Sequence, residues 1–182
     1  MDKETIGLVD IRQLTLGDIL NHIAYPDPSW GGGSAGALAG AMALALLDKI
    51  NAIHGLERDE TKSLALLALA EQETTSYAQI LAAKSDPAAK RVQIRSSLML
   101  SARIARTCLD EALAAAGRLG QTQPILRADL IVALHMFYVA AGSAVVNIRV
   151  NQSLLGEAFD FADLEGDLKR LANHIQKWTE SP

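Results

Sequence analysis

Three consecutive glycines followed by a serine are the part of the sequence best suited to holding a ligand. Gly31, Gly32, Gly33 and Ser34 precede a long apolar segment, and Ser34 is in a position to cap the helix predicted there. Backbone N–H groups at a helix N-terminus carry partial positive charge, and glycines leave them accessible to an anionic or carbonyl-rich ligand. The alternative is a tight turn into a closely packed helix, because glycine recurs at every fourth position from Gly32 to Gly40.

Two carboxylates have sequence neighbours that suit proton transfer. Asp129 stands beside a nearly uninterrupted apolar segment, where it is either a capping acid or a carboxylate shielded from water. Glu73 lies in a polar stretch of an Ala- and Leu-rich segment, and Tyr77 follows it by one helical turn, so both can face one site. A solvated helix face is the alternative for this pair. We predict Asp129 as a catalytic proton-transfer group and Glu73 as a second acid, base or orienting group.

Two amides mark a further apolar segment. Asn147 and Asn151 are four residues apart, so they share one face of the helix predicted there. Neither residue favours a helix intrinsically. The pair therefore indicates either ordinary hydrogen bonds between helices or contacts to a polar heterocycle.

Metal and nucleophile chemistry have no support in the sequence. His22, His54, His135 and His174 are scattered, and no two have the spacing of metal ligands. Cys108 is the single cysteine, which excludes an intramolecular disulfide and a cysteine-based zinc site. We expect no metal and no tightly bound cofactor.

The elements that position these residues are predicted to be helices alone. Ala supplies 30 of the 182 residues and aromatic residues only 4%, a composition that favours helices over a β-sandwich or barrel. Hydrophobic residues make up 49%, enough for a sizeable core. Periodicity and Gly/Pro punctuation predict six helices, over residues 15–23, 34–53, 58–84, 87–119, 127–155 and 161–178. We expect one all-α domain over residues 1–182.

The charge distribution and the apolar segments of the sequence argue against nucleic-acid and membrane partners. The net charge is −4 and no Lys/Arg-rich run occurs, which argues against nucleic-acid binding. The longest apolar run, residues 35–47, is shorter than a bilayer requires and predicts a buried core helix. The first residues do not have the pattern of a signal peptide. A cytoplasmic protein without a membrane partner is expected.

Three separated blocks resemble the cyclodeaminase/cyclohydrolase family, which includes formiminotetrahydrofolate cyclodeaminases and methenyltetrahydrofolate cyclohydrolases. The first joins LGDIL at residues 16–20 to PSWGGGSAGALAGAM at residues 28–42. The second is QPILRAD at residues 123–129, and the third is AVVNIRVN at residues 144–151. Their order and spacing are similar to the family pattern over about residues 16–155.

The resemblance implies an all-helical homodimer that binds a folate substrate and needs no metal. It implies one of two reactions: attack of N10 on a formimino carbon with loss of ammonia, or addition of water to a methenyl bridge. The family's Asp corresponds to Asp129, its glycine loop to residues 31–34, and polar residues of neighbouring helices complete the folate site. We expect the cyclohydrolase reaction slightly more than the cyclodeaminase reaction, since no formiminotransferase domain is fused to this chain.

Departures from the family pattern keep another interpretation open. Trp30 stands where the family has proline, and Glu73 stands where it has Asp one turn before an aromatic residue. The basic segment that follows the second helix in the family is replaced by residues 55–60, GLERDE. Trp30 and Tyr77 are the rings that we expect to touch a ligand. The alternative function is a non-catalytic helical dimer that serves as a binding or assembly module.

Overall fold

A computed structural model describes residues 10–26 and 30–180, and every regular element in these ranges is helical. The α-helices are α1 Leu16–Ala24, α2 Gly32–Ile53, α3 Glu60–Ala82, α4 Pro87–Gly117, α5 Pro124–Leu155 and α6 Ala162–Glu180. Two short 3-10 helices cover Ile11–Gln13 and Leu119–Gln121. The predicted all-α class is confirmed. Residues 1–9, on which the signal-peptide prediction rests, and residues 27–29, which include the first two residues of the block at 28–42, lie outside the described residues.

Most helix boundaries follow from local side-chain chemistry. Thr15 accepts a hydrogen bond from the N–H of Asp18, and Asp18 accepts one from the N–H of Thr15, so the two residues form a capping box at the start of α1. Asp86 caps α4, whose first residue is Pro87. Gly156 ends α5 in the left-handed conformation at φ 64°, where other residues are strained.

The starts of α2, α3 and α5 differ from the predicted ones, and those of α2 and α5 bear on the candidate site. Ser34 does not cap α2: Gly31 takes the cap position, and the Ser34 hydroxyl lies inside the first turn and donates to the Gly31 carbonyl at 3.0 Å. Helix α5 begins at Pro124, because proline fits the first helical position, where no N–H is needed. Asp129 therefore belongs to the second turn of α5 and is not a capping acid.

Helix α5 lies at the centre of the bundle and packs against α2, α4 and α6. The glycine row of α2 lets that helix approach its neighbours closely. A methyl group at Gly36 would overlap the Ser143 side chain of α5, and one at Gly40 would lie 2.8 Å from Sγ of Cys108 on α4. The predicted close packing of α2 is confirmed at these two positions.

One side of α5 is apolar and faces solvent. We call this set the α5 stripe: Ile125, Val132, Val139, Val146, Val150 and Leu154, each at least half exposed. Helices α2 and α5 are long and apolar enough to cross a bilayer by length and composition, and 44% of the most apolar window of each is buried inside the bundle. An exposed apolar row of this length on one helix is typical of an interaction surface.

Candidate functional site

The candidate site is built at the N-terminus of α2. Gly31 is the cap residue, with extended backbone, and no side chain within residues 10–26 and 30–180 caps the helix by a hydrogen bond. The N–H groups of the first turn, from Gly32 to Ser34, have no carbonyl acceptor within the helix. The first helical hydrogen bond runs from the N–H of Ala35 to the Gly31 carbonyl. The positive end of a helix of 22 residues is thus uncapped at this point.

Glu73 of α3 points at this helix end. Its Oε1 accepts a hydrogen bond from Nδ2 of Asn147 on α5 at 3.0 Å, while Oε2 is buried and has no hydrogen-bond partner among the residues that the structure describes. Burial raises the pKa of Glu73, and the hydrogen bond from Asn147 offsets part of that rise. The site therefore holds a carboxyl group with an increased tendency to stay protonated and one oxygen without a hydrogen-bond partner.

Gly33 makes room for this pair. A methyl group at Gly33 would overlap the Glu73 carboxyl group and lie 2.5 Å from Nδ2 of Asn147. At Gly31 and Gly32, by contrast, a methyl group would meet no atom of the described residues within 4 Å. Of the three predicted ligand-binding glycines, Gly31 and Gly32 thus border open space, and Gly33 is the position where the carboxyl group and the amide approach the helix.

The two predicted ligand-contacting rings have different surroundings. Trp30 is 7% exposed and stacks on His22 of α1, with ring centroids 5.0 Å apart and an interplanar angle of 13°. Tyr77 is 44% exposed and lies one turn after Glu73. Tyr77 is accessible to a ligand, whereas Trp30 ties α1 to the start of α2. The role of His22 had no signal in the sequence, because the stacking joins two segments across a loop.

Asn151 makes an ordinary contact between helices. Its side chain is buried and donates to Oγ of Ser97 on α4 at 3.1 Å. Asn147 and Asn151 are one turn apart, yet Asn147 meets Glu73 and Asn151 meets α4. The structure brings Asn147 to the candidate site and places Asn151 in the α4–α5 contact.

Asp129 lies far from Glu73 within the chain. Its side chain is 35% exposed and forms an ion pair with Lys49 at 2.7 Å. It is therefore not the shielded carboxylate that the sequence predicted. Asp129 precedes Asn147 by 18 residues on the same helix, a separation of about 27 Å. One copy of the chain does not bring the two predicted carboxylates together.

The arrangement suits proton transfer more than metal chemistry. Within residues 10–26 and 30–180, no three His, Cys, Asp or Glu side chains cluster as metal ligands would. Glu73 can give a proton to a neighbouring atom or take one from it, and the uncapped helix end favours a carbonyl or an anionic group close by.

Comparison with known proteins gives a match in fold but none in sequence. No protein-family model matches the chain, and no curated protein matches it. A search of solved structures finds the crystal structure of formiminotetrahydrofolate cyclodeaminase from Thermotoga maritima, with a TM-score of 0.78 and 18% sequence identity. The match covers 92% of this chain and 92% of that one. The two chains share a fold, which supports the resemblance to the cyclodeaminase/cyclohydrolase family.

Proposed function

We propose that this protein is a folate-dependent enzyme of one-carbon metabolism that acts on a tetrahydrofolate derivative in the cytoplasm. The observation that carries the proposal is the Glu73 carboxyl group, which is buried beside the N-terminus of α2 and has one oxygen without a hydrogen-bond partner within residues 10–26 and 30–180. The shared fold with a formiminotetrahydrofolate cyclodeaminase supports the substrate class.

Glu73 is the group that we propose for proton transfer. In the cyclodeaminase reaction, N10 attacks the formimino carbon, and the bond from that carbon to its amino nitrogen then breaks. That nitrogen takes up one proton released by N10 and one from the Glu73 carboxyl group and leaves as ammonia, after which Glu73 recovers a proton from water. Asn147 orients the carboxyl group through its bond to Oε1, so that Oε2 is the atom that exchanges the proton.

The remaining predicted residues would hold the substrate. The N–H groups of Gly32 and Ser34 would face its carbonyl or anionic edge. Tyr77 offers an accessible ring on which a flat pterin can stack. In the cyclohydrolase reaction, water would add to the methenyl carbon in the same position, and the nitrogen of the broken ring bond would take the proton.

We also propose that the protein is a homodimer in which two α5 stripes pack against each other. The stripe is apolar, continuous over most of a helix of 32 residues, and contains no charged side chain. An isologous interface uses the same surface from both copies. Val139 lies near the middle of the stripe, ten residues after Asp129 and eight before Asn147.

An antiparallel pairing centred on Val139 would assemble the two predicted carboxylates. It would place Asp129 of one copy opposite Asn147 of the other, on the same side of the paired helices. Glu73 of one copy and Asp129 of the other would then belong to one site. The distance between these two residues within a single chain would not matter, because each comes from a different copy. This is the role that we propose for Asp129.

Thermal unfolding with 5-formyltetrahydrofolate tests the folate assignment. A ligand that binds only the folded chain raises the melting temperature, by about 5–10 °C at 100 times its Kd for a chain of this size. No shift at saturating concentrations would contradict the folate assignment and favour the non-catalytic helical dimer. A matched titration with Tyr77→Ala should give a smaller shift if the ring contacts the pterin.

A further inference from the structure

A cavity lies at the C-terminal end of α2, whereas Glu73 lies at the N-terminal end of that helix. Its volume is about 260 Å³, and it opens between the C-terminus of α2, the end of α4 and the first turns of α5. Leu47, Ile50 and Leu130 line it, and none of them is more than 5% exposed. These three aliphatic side chains give the cavity an apolar floor on which a flat ring can lie.

The rim of the cavity is polar and carries a positioned arginine. Arg118 donates to Oδ1 of Asn51 at 3.2 Å, and both residues line the cavity. Within residues 10–26 and 30–180, no carboxylate lies within ion-pair distance of Arg118. His54 lies beside it on the rim. A guanidinium group held by one neutral amide keeps donors for a carboxylate or a phosphate.

The mouth of the cavity is shaped by a glycine turn. Gly55 has φ 73°, a conformation that favours glycine, and the next N–H, that of Leu56, donates back to the Asn51 carbonyl at 2.9 Å. This turn sets the Leu56 side chain at the mouth, where it is 54% exposed. A ring on the floor would cover Leu56 and remove its apolar surface from water.

We propose that this cavity binds a planar ring that carries an oxyanion, either a carboxylate or a phosphate. The apolar floor takes the ring, and Arg118 takes the oxyanion. Asn51 follows Gly33 by 18 residues on α2, about 27 Å, so this pocket is separate from the Glu73 site of the same chain. Its volume is at the small end for ligand sites, which suits one ring system with a single anionic substituent. Leu130 of its floor follows Asp129, which the proposed dimer brings to the shared site, so the folate arm of this inference rests on the proposed function; the binding itself needs no reaction at Glu73.

Two sources can supply this chemistry, and calorimetric titration of the full-length protein separates them. The first probe is p-aminobenzoyl-glutamate, the ring-and-carboxylate part of a folate. The second is adenosine 5′-monophosphate, a ring with a phosphate, and inorganic phosphate alone shows whether the ring is required. We expect one of the two ring compounds to bind and inorganic phosphate to bind more weakly.

Substitutions at the rim and mouth of the cavity test whether the ring compound binds there. Arg118→Gln should weaken binding roughly 10- to 100-fold, as expected for losing hydrogen bonds to a charged group. Arg103→Gln is the matched control, because Arg103 is also exposed on α4 and lines a different groove. Leu56→Asp changes an exposed side chain, so the fold should tolerate it, and it should repel the anion from the mouth.

The proposal is overturned if neither ring compound binds, or if Arg118→Gln binds as tightly as wild type. Equal loss in the Arg118→Gln and Arg103→Gln variants would also overturn it, because the binding would then reflect general surface charge. The thermal-unfolding test with 5-formyltetrahydrofolate is run beside the titrations, so failure of the folate assignment is distinguished from failure of binding at Arg118.

Discussion

Asn147 donates a hydrogen bond to one oxygen of Glu73, and the other oxygen of that carboxyl group is buried without a partner in the part of the chain that the structure describes. The bond spans 74 residues of sequence and joins α3 to α5 next to the start of α2. Burial outweighs this bond and raises the pKa of Glu73. A carboxyl group that keeps its proton at higher pH than an exposed Glu is suited to donating it during a reaction.

Glu73 should make stability depend on pH. Because burial raises the pKa of Glu73 in the folded chain, the stability given by its neutral form is fully present below the ordinary value of 4.5. That stability is lost as the pH rises through the folded-state pKa. Glu73→Gln, which stays neutral, should therefore gain stability relative to wild type as pH rises, as measured by urea unfolding at each pH. Glu57→Gln, at an exposed position, should show no such trend.

Gly33 should tolerate no side chain. Gly33→Ala places a methyl group against Glu73 and Asn147, and overpacking of this kind costs about 1–3 kcal/mol of unfolding free energy. Gly32→Ala is the control, since a methyl group there meets nothing within 4 Å and should change stability by less than about 1 kcal/mol. Denaturant midpoints compare the two variants. Equal effects at Gly32 and Gly33 would contradict the placement of the carboxyl group.

The helices could be predicted from the sequence because caps and breaks are local. Asp18, Asp86 and Gly156 each mark a boundary through contacts with residues a few positions away. The start of α5 was predicted three residues late, because Pro124 was interpreted as part of a break when it is the first residue of the helix. Local sequence patterns therefore predict the order of the helices and most of the helix boundaries.

The site could be predicted only in part, because it depends on packing between distant helices. The spacing of Glu73 and Tyr77 places both on one face of α3, but nothing local shows that Asn147 meets Glu73. The distance between Asp129 and Asn147 follows from the sequence once both lie on one uninterrupted helix. Residue type and the family resemblance had assigned Asp129 and Glu73 to the same chemistry. Within a single chain, however, the two residues lie far apart.

A charge at the centre of the α5 stripe should dissociate the dimer. Val139→Lys would bury an unpaired ammonium group in the interface, which costs several kcal/mol and should weaken dimerisation at least about tenfold. Val92→Lys, at an exposed position of α4 outside the stripe, should leave the dimer intact. Light scattering after size-exclusion chromatography measures the molar mass of the wild-type protein and of both variants. A wild-type monomer, or a Val139→Lys dimer of unchanged affinity, would refute the proposed interface.

Mixing two inactive variants should restore activity if the site is shared between copies. Glu73→Gln and Asp129→Asn should each lose turnover as homodimers. After unfolding and refolding together, half of the dimers carry one variant of each kind, and one of their two sites has both carboxylates. About a quarter of wild-type activity should return. No recovery, with mixed dimers confirmed by mass spectrometry, would mean that the partner copy does not supply Asp129.

Turnover of folate substrates by wild type and by Glu73→Gln tests the central claim most directly. Ammonia release and methenyl absorbance are followed with formiminotetrahydrofolate, and loss of methenyl absorbance is followed with methenyltetrahydrofolate. We expect wild type to convert one of these substrates and Glu73→Gln to lower kcat by about 10²-fold or more, since a positioned acid contributes at least that much. Glu71→Gln is the control, because Glu71 accepts from the N–H of Ile11 outside the site. Wild-type protein that converts neither substrate, or a Glu73→Gln variant with full turnover, would contradict the account.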